Sequence, residues 1–371
     1  MHRNLSTCRP YAARRGSTLV MLVFMVLAAF SIASYAINVV YMEFARTELQ
    51  ITADVATRAA CRALVDYGSQ DEALWAAQRL AAANPVRGQV VDIPMDDLQF
   101  AVARRYEEED DYDYSQRLSN PNAVHLTTEF YQRSHSGMEM LFPTLGVPVA
   151  FRPIKEATAI QSELDLAVVL DRSSSMACPS SQDSPPENLV ELPLVRQLPS
   201  DTRWRDAQAG MEEILELFES SPQQELVSLS TFNHIATSDA SLSQSYQLLR
   251  STMESHGQQF AGGKSSMADG IRNGLRLLSD EDRARPWASR VMLLISDGRN
   301  NFGNDPMAAA REAADQYVMI YTISLSDEAN EEVLADIAET TYGRHFHATQ
   351  PEDFRTIMEE ISRRLPILIT H

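Results

Sequence analysis

Residues 164–171 read Leu-Asp-Leu-Ala-Val-Val-Leu-Asp, a run with apolar side chains on both faces of an extended chain. Such a strand must be covered on both sides, which is the condition of a parallel sheet held between two helix layers. The run ends in Asp171, and Ser173 and Ser175 follow, three oxygen-bearing side chains within five residues. Ligands of open α/β sheets gather at the carboxyl ends of strands, where this triplet falls. Closely spaced oxygen donors suit a hard cation such as Mg²⁺, although Asp and Ser are also ordinary turn formers.

Downstream, apolar periods of two and of 3.6 alternate. The pattern predicts strands over 225–232, 235–239, 291–295, 317–325 and 345–348. Helices are predicted over 204–218, 243–253, 266–278, 306–316, 328–340 and 352–364, the fourth capped by Asp305. Strands alternating with helices predict an α/β fold with a doubly wound, mostly parallel sheet. Residues 176–202 interrupt the alternation and hold Pro179, Pro185, Pro186, Pro193 and Pro199, an irregular insertion starting at the triplet itself. Its Asp183, Glu187 and Glu191 lie in a loop that begins at the triplet, so one of them is expected to be able to fill a position on a cation there and block it.

Two later segments give the triplet its meaning. Gly262-Gly263-Lys264-Ser265-Ser266 is a Gly-rich turn opening a helix, and residues 291–298 are a second buried strand ending in Asp297-Gly298. Together, and in this order, the three segments resemble the metal-ion-dependent adhesion site of the von Willebrand factor A (vWA) domain, over residues 164–364. The resemblance implies a Rossmann-like fold and a bound Mg²⁺ (or Mn²⁺). It also implies the ligands: Ser173 and Ser175, Ser265 in the place of the family's Thr, and Asp171 and Asp297 directly or through water. The hydroxyl-rich set leaves the cation under-neutralised, so the implied partner is a protein offering an Asp or Glu carboxylate.

From Ser17 to Met42 there is no charged residue, a span of 26, longer than the about 20 residues that cross a bilayer. Arg3, Arg9, Arg14 and Arg15 precede it with no acid among them, which predicts a cytoplasmic N-terminus and a periplasmic or extracellular remainder. A cleaved signal peptide is the alternative, with Ser34-Tyr35-Ala36 as its small-residue site. Beyond the span Leu49, Ala53, Ala56, Ala60 and Ala63 keep helical spacing, so one rod of about 50 residues is expected, followed by a second helix over 71–83. Arg14-Arg15-Gly16, the apolar span and this Ala-rich continuation resemble the N-termini of TadE/TadG-like pilus-assembly proteins, over residues 12–66. Met21 stands where pilin-like members often carry Glu.

The segments expected are therefore a cytoplasmic N-terminus (1–16), a transmembrane helix (17–42), a helical stalk (43–84), a β-rich segment (85–161) and the vWA domain (162–371). Within the β-rich segment, 90–93, 98–104 and 146–153 read as short strands. The acids of 107–111, with Asp113, read as a solvated hairpin tip lacking calcium-loop spacing.

The formal charge is −19, and the first 42 residues carry four arginines and no acid, so the remainder stands near −23 (−19 minus 4). Such a surface disfavours nucleic acid as a partner. Cys61 and Cys178 fall on the oxidising side, where a bridge and two buried thiols are both open readings. His345 and His347 project from one strand face without a nearby third ligand and read as surface or satisfied histidines.

No G-x-S-x-G elbow or H-E-x-x-H pair occurs, so the chain is not expected to be an enzyme. A metal-dependent phosphate hydrolase using Asp171, Lys264 and Asp297 is the catalytic alternative. The expected role is protein binding in pilus assembly or surface adhesion, with pilus-system subunits or further copies of the chain as companions. A scaffold subunit of an envelope complex is the structural alternative.

Overall fold

The structure, a computed structural model, describes residues 16–106, 111–115, 120–129, 138–142, 151–179, 198–221, 223, 225–296, 300–326 and 329–370. The first half contains α1 (Gly16–Tyr67), α2 (Gln70–Ala83), β1 (Leu98–Arg104), β2 (Asp113–Ser115), β3 (Ala123–Glu129) and β4 (Ile154–Gln161). Then follow β5 (Leu164–Asp171), α3 (Arg203–Ser220), β6 (Leu226–Phe232), β7 (Ala236–Ser243), α4 (Tyr246–Gln258), α5 (Met267–Leu278) and β8 (Ser289–Ser296). The chain finishes with α6 (Pro306–Asp315), β9 (Met319–Ser324), α7 (Glu331–Thr340), β10 (His345–His347), α8 (Glu352–Arg364) and β11 (Ile367–Thr370).

Six strands form the α/β sheet in the order β10-β9-β8-β5-β6-β7. All neighbours are parallel except β7, which pairs antiparallel with β6. The three residues between β6 and β7 permit a hairpin but not the crossover a parallel partner needs. Strand β5 is central and buried at every position. Its Leu166, Val168 and Leu170 face α3, α4 and α8, whereas Ala167 and Val169 face α5, α6 and α7. Both helix layers implied by a strand apolar on two faces are thus present. Asp305 caps α6 as expected, its carboxylate accepting from Met307 N, with Pro306 in the first turn.

The second sheet is antiparallel, in the order β11-β4-β3-β1-β2. Helix α1 is a single rod of 52 residues, but its second half is not a free stalk. Ala45, Leu49, Ala56, Ala60 and Leu64 are buried against α2 and against Phe100, Val124, Leu126 and Ala159 of this sheet. The small alanines let helix and strands approach closely, and the stripe that could be read as a solvated rod is a core face.

Strand β11 is a further difference. It follows the α/β unit in sequence, yet it pairs with β4, Ile367 opposite Gln161 and Thr370 opposite Thr158, because Ile367 and Ile369 alternate into the N-terminal core. The α/β unit is therefore inserted between two neighbouring strands of the other sheet. Residues 90–93 form no strand, although Val91 and Ile93 are buried. Of 146–153 only 151–153 are described, with Phe151 bridged to Met138. Strands β1 and β2 form the expected hairpin, and residues 107–110 of its acidic tip lie outside the described residues. Cys61, in the N-terminal core, and Cys178, in the α/β core, are both buried and form no bridge.

At the base of β5 the two units are joined by charge. Arg285 donates to Asp165 and to Glu163, and Trp287 Nε1 donates to the same Glu163 carboxylate oxygen as Arg285 Nη1. Arg105 N, from the N-terminal unit, donates to the other Glu163 oxygen at 3.1 Å.

Candidate metal centre

The opposite end of β5 carries the candidate site. Asp171 is the last residue of the strand, paired with Phe232 of β6, and β8 runs alongside on the other flank. Fully extended pairing stops there because Ser173 N turns back to Asp171 Oδ1 at 2.7 Å, an Asx turn. A short 3₁₀ turn over Ser174–Ala177 follows, with Met176 N donating to Ser173 O. This sets the Ser173 and Ser175 hydroxyls 2.9 Å apart.

The Gly-rich turn is locked onto that loop from the other side. Ser174 N donates to Gly263 O, and Gly263 N donates to Ser174 Oγ at 2.8 Å. A Cβ at Gly262 would stand 2.6 Å from the Ser174 hydroxyl, and Gly263 has φ +139°, so both glycines are required for this approach. Asn233 holds the turn from β6, donating to Ala261 O and Gly262 O. Ser265 is thereby brought to Asp171, its hydroxyl donating to Oδ2 at 3.1 Å.

The segment after β8 supplies the third wall. Ser296 Oγ donates to Asp171 Oδ2 at 2.7 Å. Asn301 Oδ1 accepts from Ser265 N, and Phe302 N donates to Ser265 O. Asn300 Oδ1 accepts from Met267 N at the start of α5. Of the five ligands implied by the sequence, Asp171, Ser173, Ser175 and Ser265 meet in one place, while Asp297 lies outside the described residues. Asp183, Glu187 and Glu191 of the insertion also lie outside them. Ser174, Asn233, Ser296, Asn300 and Asn301 were not singled out by sequence reading. Their one signal is that Ser and Asn recur in the loops that follow apolar runs.

The donors are recessed: Asp171 is 0%, Ser173 3%, Ser175 8% and Ser265 1% exposed. All are oxygens, three neutral and one anionic, which fits a hard divalent cation and no soft one. The Ser173–Ser175 and Ser265–Asp171 oxygens stand 2.9 and 3.1 Å apart, each pair hydrogen-bonded, so the four side chains are gathered at one point. No group of three His, Cys, Asp or Glu side chains able to hold a metal occurs among the described residues, and Asp171 is the one carboxylate among the four side chains that meet.

Behind the site, Arg172 Nη1 contacts His256 Nδ1 at 2.9 Å, and His256 Nε2 meets Asp239 at 3.0 Å. Burial alone would raise the Asp239 pKa. Hydrogen bonds from His256 and Thr231, with the charge of Arg172, bring it below the usual carboxylate range instead. Lys264, considered for a catalytic part, places its ammonium 5.4 Å from the Phe302 ring centroid. His345 and His347 lie on β10 and bond through Nδ1 to Thr322 and Ser324 of β9.

The von Willebrand factor type A domain family model matches residues 165–364. No curated protein matches the chain at a significant level. Among solved structures, an aerotolerance-related membrane protein from Bacteroides fragilis is similar at 15% identity and TM-score 0.42, over 54% of this chain and 100% of that one. BatB from Bacteroides thetaiotaomicron is similar at 17% identity and TM-score 0.41, over 54% and 98%. Proximal thread matrix protein 1 from the mussel byssus, described with a zinc-occupied MIDAS motif, is similar at 17% identity and TM-score 0.40, over 57% and 48%.

Proposed function

Since the chain belongs to the von Willebrand factor type A family, we propose that it is a membrane-anchored receptor for an acidic side chain of another protein. The reading rests on the convergence of Asp171, Ser173, Ser175 and Ser265 from two separate loops at the carboxyl end of β5. These residues, with Asp297, would hold Mg²⁺ or Mn²⁺. When bound, the ion supplies a concentrated positive charge, under-neutralised by hydroxyl ligands, for which a partner's Asp or Glu carboxylate is the complement.

Helix α1 crosses the membrane over residues 17–42 in this reading, with residues 1–16 in the cytoplasm and the rest periplasmic or extracellular. Its exposed, uncharged first part is the only candidate span among the described residues. Strand β5 follows β4 of the N-terminal unit directly and carries the site at its other end, about 26 Å of strand away. The role is attachment, in surface adhesion or in assembly of a pilus of the TadE/TadG-bearing kind. The insertion of the α/β unit between β4 and β11 favours a second use, as a rigidly mounted scaffold for neighbouring envelope subunits.

Isothermal titration of the chain with Mg²⁺ is the test of the site, and Asp171→Ala should abolish the heat of binding. Unchanged binding in that variant rejects the assignment. Affinity capture in Mg²⁺ against a chelator should then release a partner on metal removal.

A further inference from the structure

The exposed part of α1 ends at a polar clamp. Every side chain from Thr18 to Phe30 is exposed, and the first that the protein buries is Asn38, 5% exposed. Its amide makes both hydrogen bonds open to a backbone residue: Nδ2 donates to Phe142 O and Oδ1 accepts from Phe142 N, each at 3.0 Å. Phe142 and its neighbour Leu141 are themselves 39% and 59% exposed. A short irregular segment carrying two outward apolar side chains is thus strapped to the helix, its backbone polarity satisfied within the protein.

Position along the helix gives that strap a partner. Gly16 to Asn38 is 22 residues, about 33 Å at 1.5 Å each, and the hydrocarbon core of a bilayer is about 30 Å thick. With the core beginning at Gly16, Asn38 and Phe142 stand at the far boundary between acyl chains and headgroups. Tyr35, 72% exposed, and Phe44, 60% exposed, flank that level, where aromatic side chains favour the interface. Backbone groups next to hydrocarbon need internal partners, and Asn38 supplies them to Phe142.

We propose that the 138–142 segment is a second membrane contact, with Leu141 and Phe142 seated in the outer leaflet's headgroup–acyl boundary and Asn38 as the residue that positions them there. The consequence is a base that touches the bilayer at two places rather than through α1 alone. This rests on the reading of α1 as membrane-spanning, and its test separates the two.

The full chain is reconstituted in phosphatidylcholine vesicles with a single added tryptophan, its emission being the excess over the unsubstituted protein. Leu141→Trp should lose emission in lipid brominated near the headgroup end of the acyl chain, whereas Tyr342→Trp, at a site 86% exposed on the α/β unit, should not. Val23→Trp, in the first part of α1, should lose emission in lipid brominated deep in the chain. If Val23→Trp is unquenched, the spanning helix and the contact both fall. If Val23→Trp is quenched and Leu141→Trp behaves like Tyr342→Trp, the contact alone is overturned. Adding Asn38→Leu to Leu141→Trp should weaken the shallow quenching, and unchanged quenching removes Asn38 from its positioning role.

Discussion

The hydroxyl of Ser296, the last residue of β8, donates to Asp171, the last residue of β5, at 2.7 Å. Two strands that pair along their length thus also meet through side chains at their carboxyl ends. The contact fixes the Asp171 carboxylate, which also accepts from Ser173 N and the Ser265 hydroxyl. Ser296→Ala should therefore weaken Mg²⁺ binding by about 10- to 100-fold, as loss of a partner behind a metal ligand does, with the fold intact. Titration calorimetry alongside a thermal melt measures both, and an unchanged affinity would show that Ser296 is a bystander.

Arg285→Ala should be far more damaging to the fold than to the site. Asp165 is 0% and Glu163 3% exposed, and the substitution leaves both carboxylates without their guanidinium. Removing one partner of a buried ion pair costs about 3–5 kcal/mol. Denaturant unfolding of the chain measures the loss; a change below about 1 kcal/mol, the scale of a surface pair, would refute the arrangement.

Stability should fall as pH drops from 8 towards 5, with His345 contributing. Burial lowers its pKa, with the charge of His347 acting the same way and that of Glu331 opposing. The unfolded chain takes up the proton near pH 6.5, before the folded one does. Stability is thus fully present above that point and lost progressively below it. His345→Gln should flatten the dependence of the denaturation midpoint between pH 8 and 5; an unaltered slope assigns the titration elsewhere.

Cys61 should be inert while the chain is folded. Burial, outweighing the nearby charge of Arg62, pushes its thiol up to about 12, so almost none is thiolate at neutral pH. Alkylation followed by mass spectrometry should find Cys61 unmodified in the native protein and modified in guanidinium. Native modification would place it at the surface.

The α/β half was legible because each of its signals is local. A strand apolar on both faces announces two covering layers, and Asp171, Ser173 and Ser175 sit within one turn of chain. Ser265 was reachable because a Gly-rich turn marks itself. Ser296 and Asn301 were not, since their worth lies in contacts with segments distant in sequence that no spacing encodes. For the same reason α1 could be read as a rod but not as half of a core, its alanines naming a face without naming the cover. Ile367 and Ile369 read as the end of the α/β unit until β4 is seen to offer an open edge.

That edge has a mechanical consequence. The chain leaves β4 for the α/β unit and returns from it into β11, the two junctions lying side by side at Gln161 and Ile367. A pull on the carboxyl-end face of β5, directed along β4, would load both strands lengthwise and together. The seven residue pairs joining β4 to β3 would then resist in shear, sharing the tension rather than opening one after another.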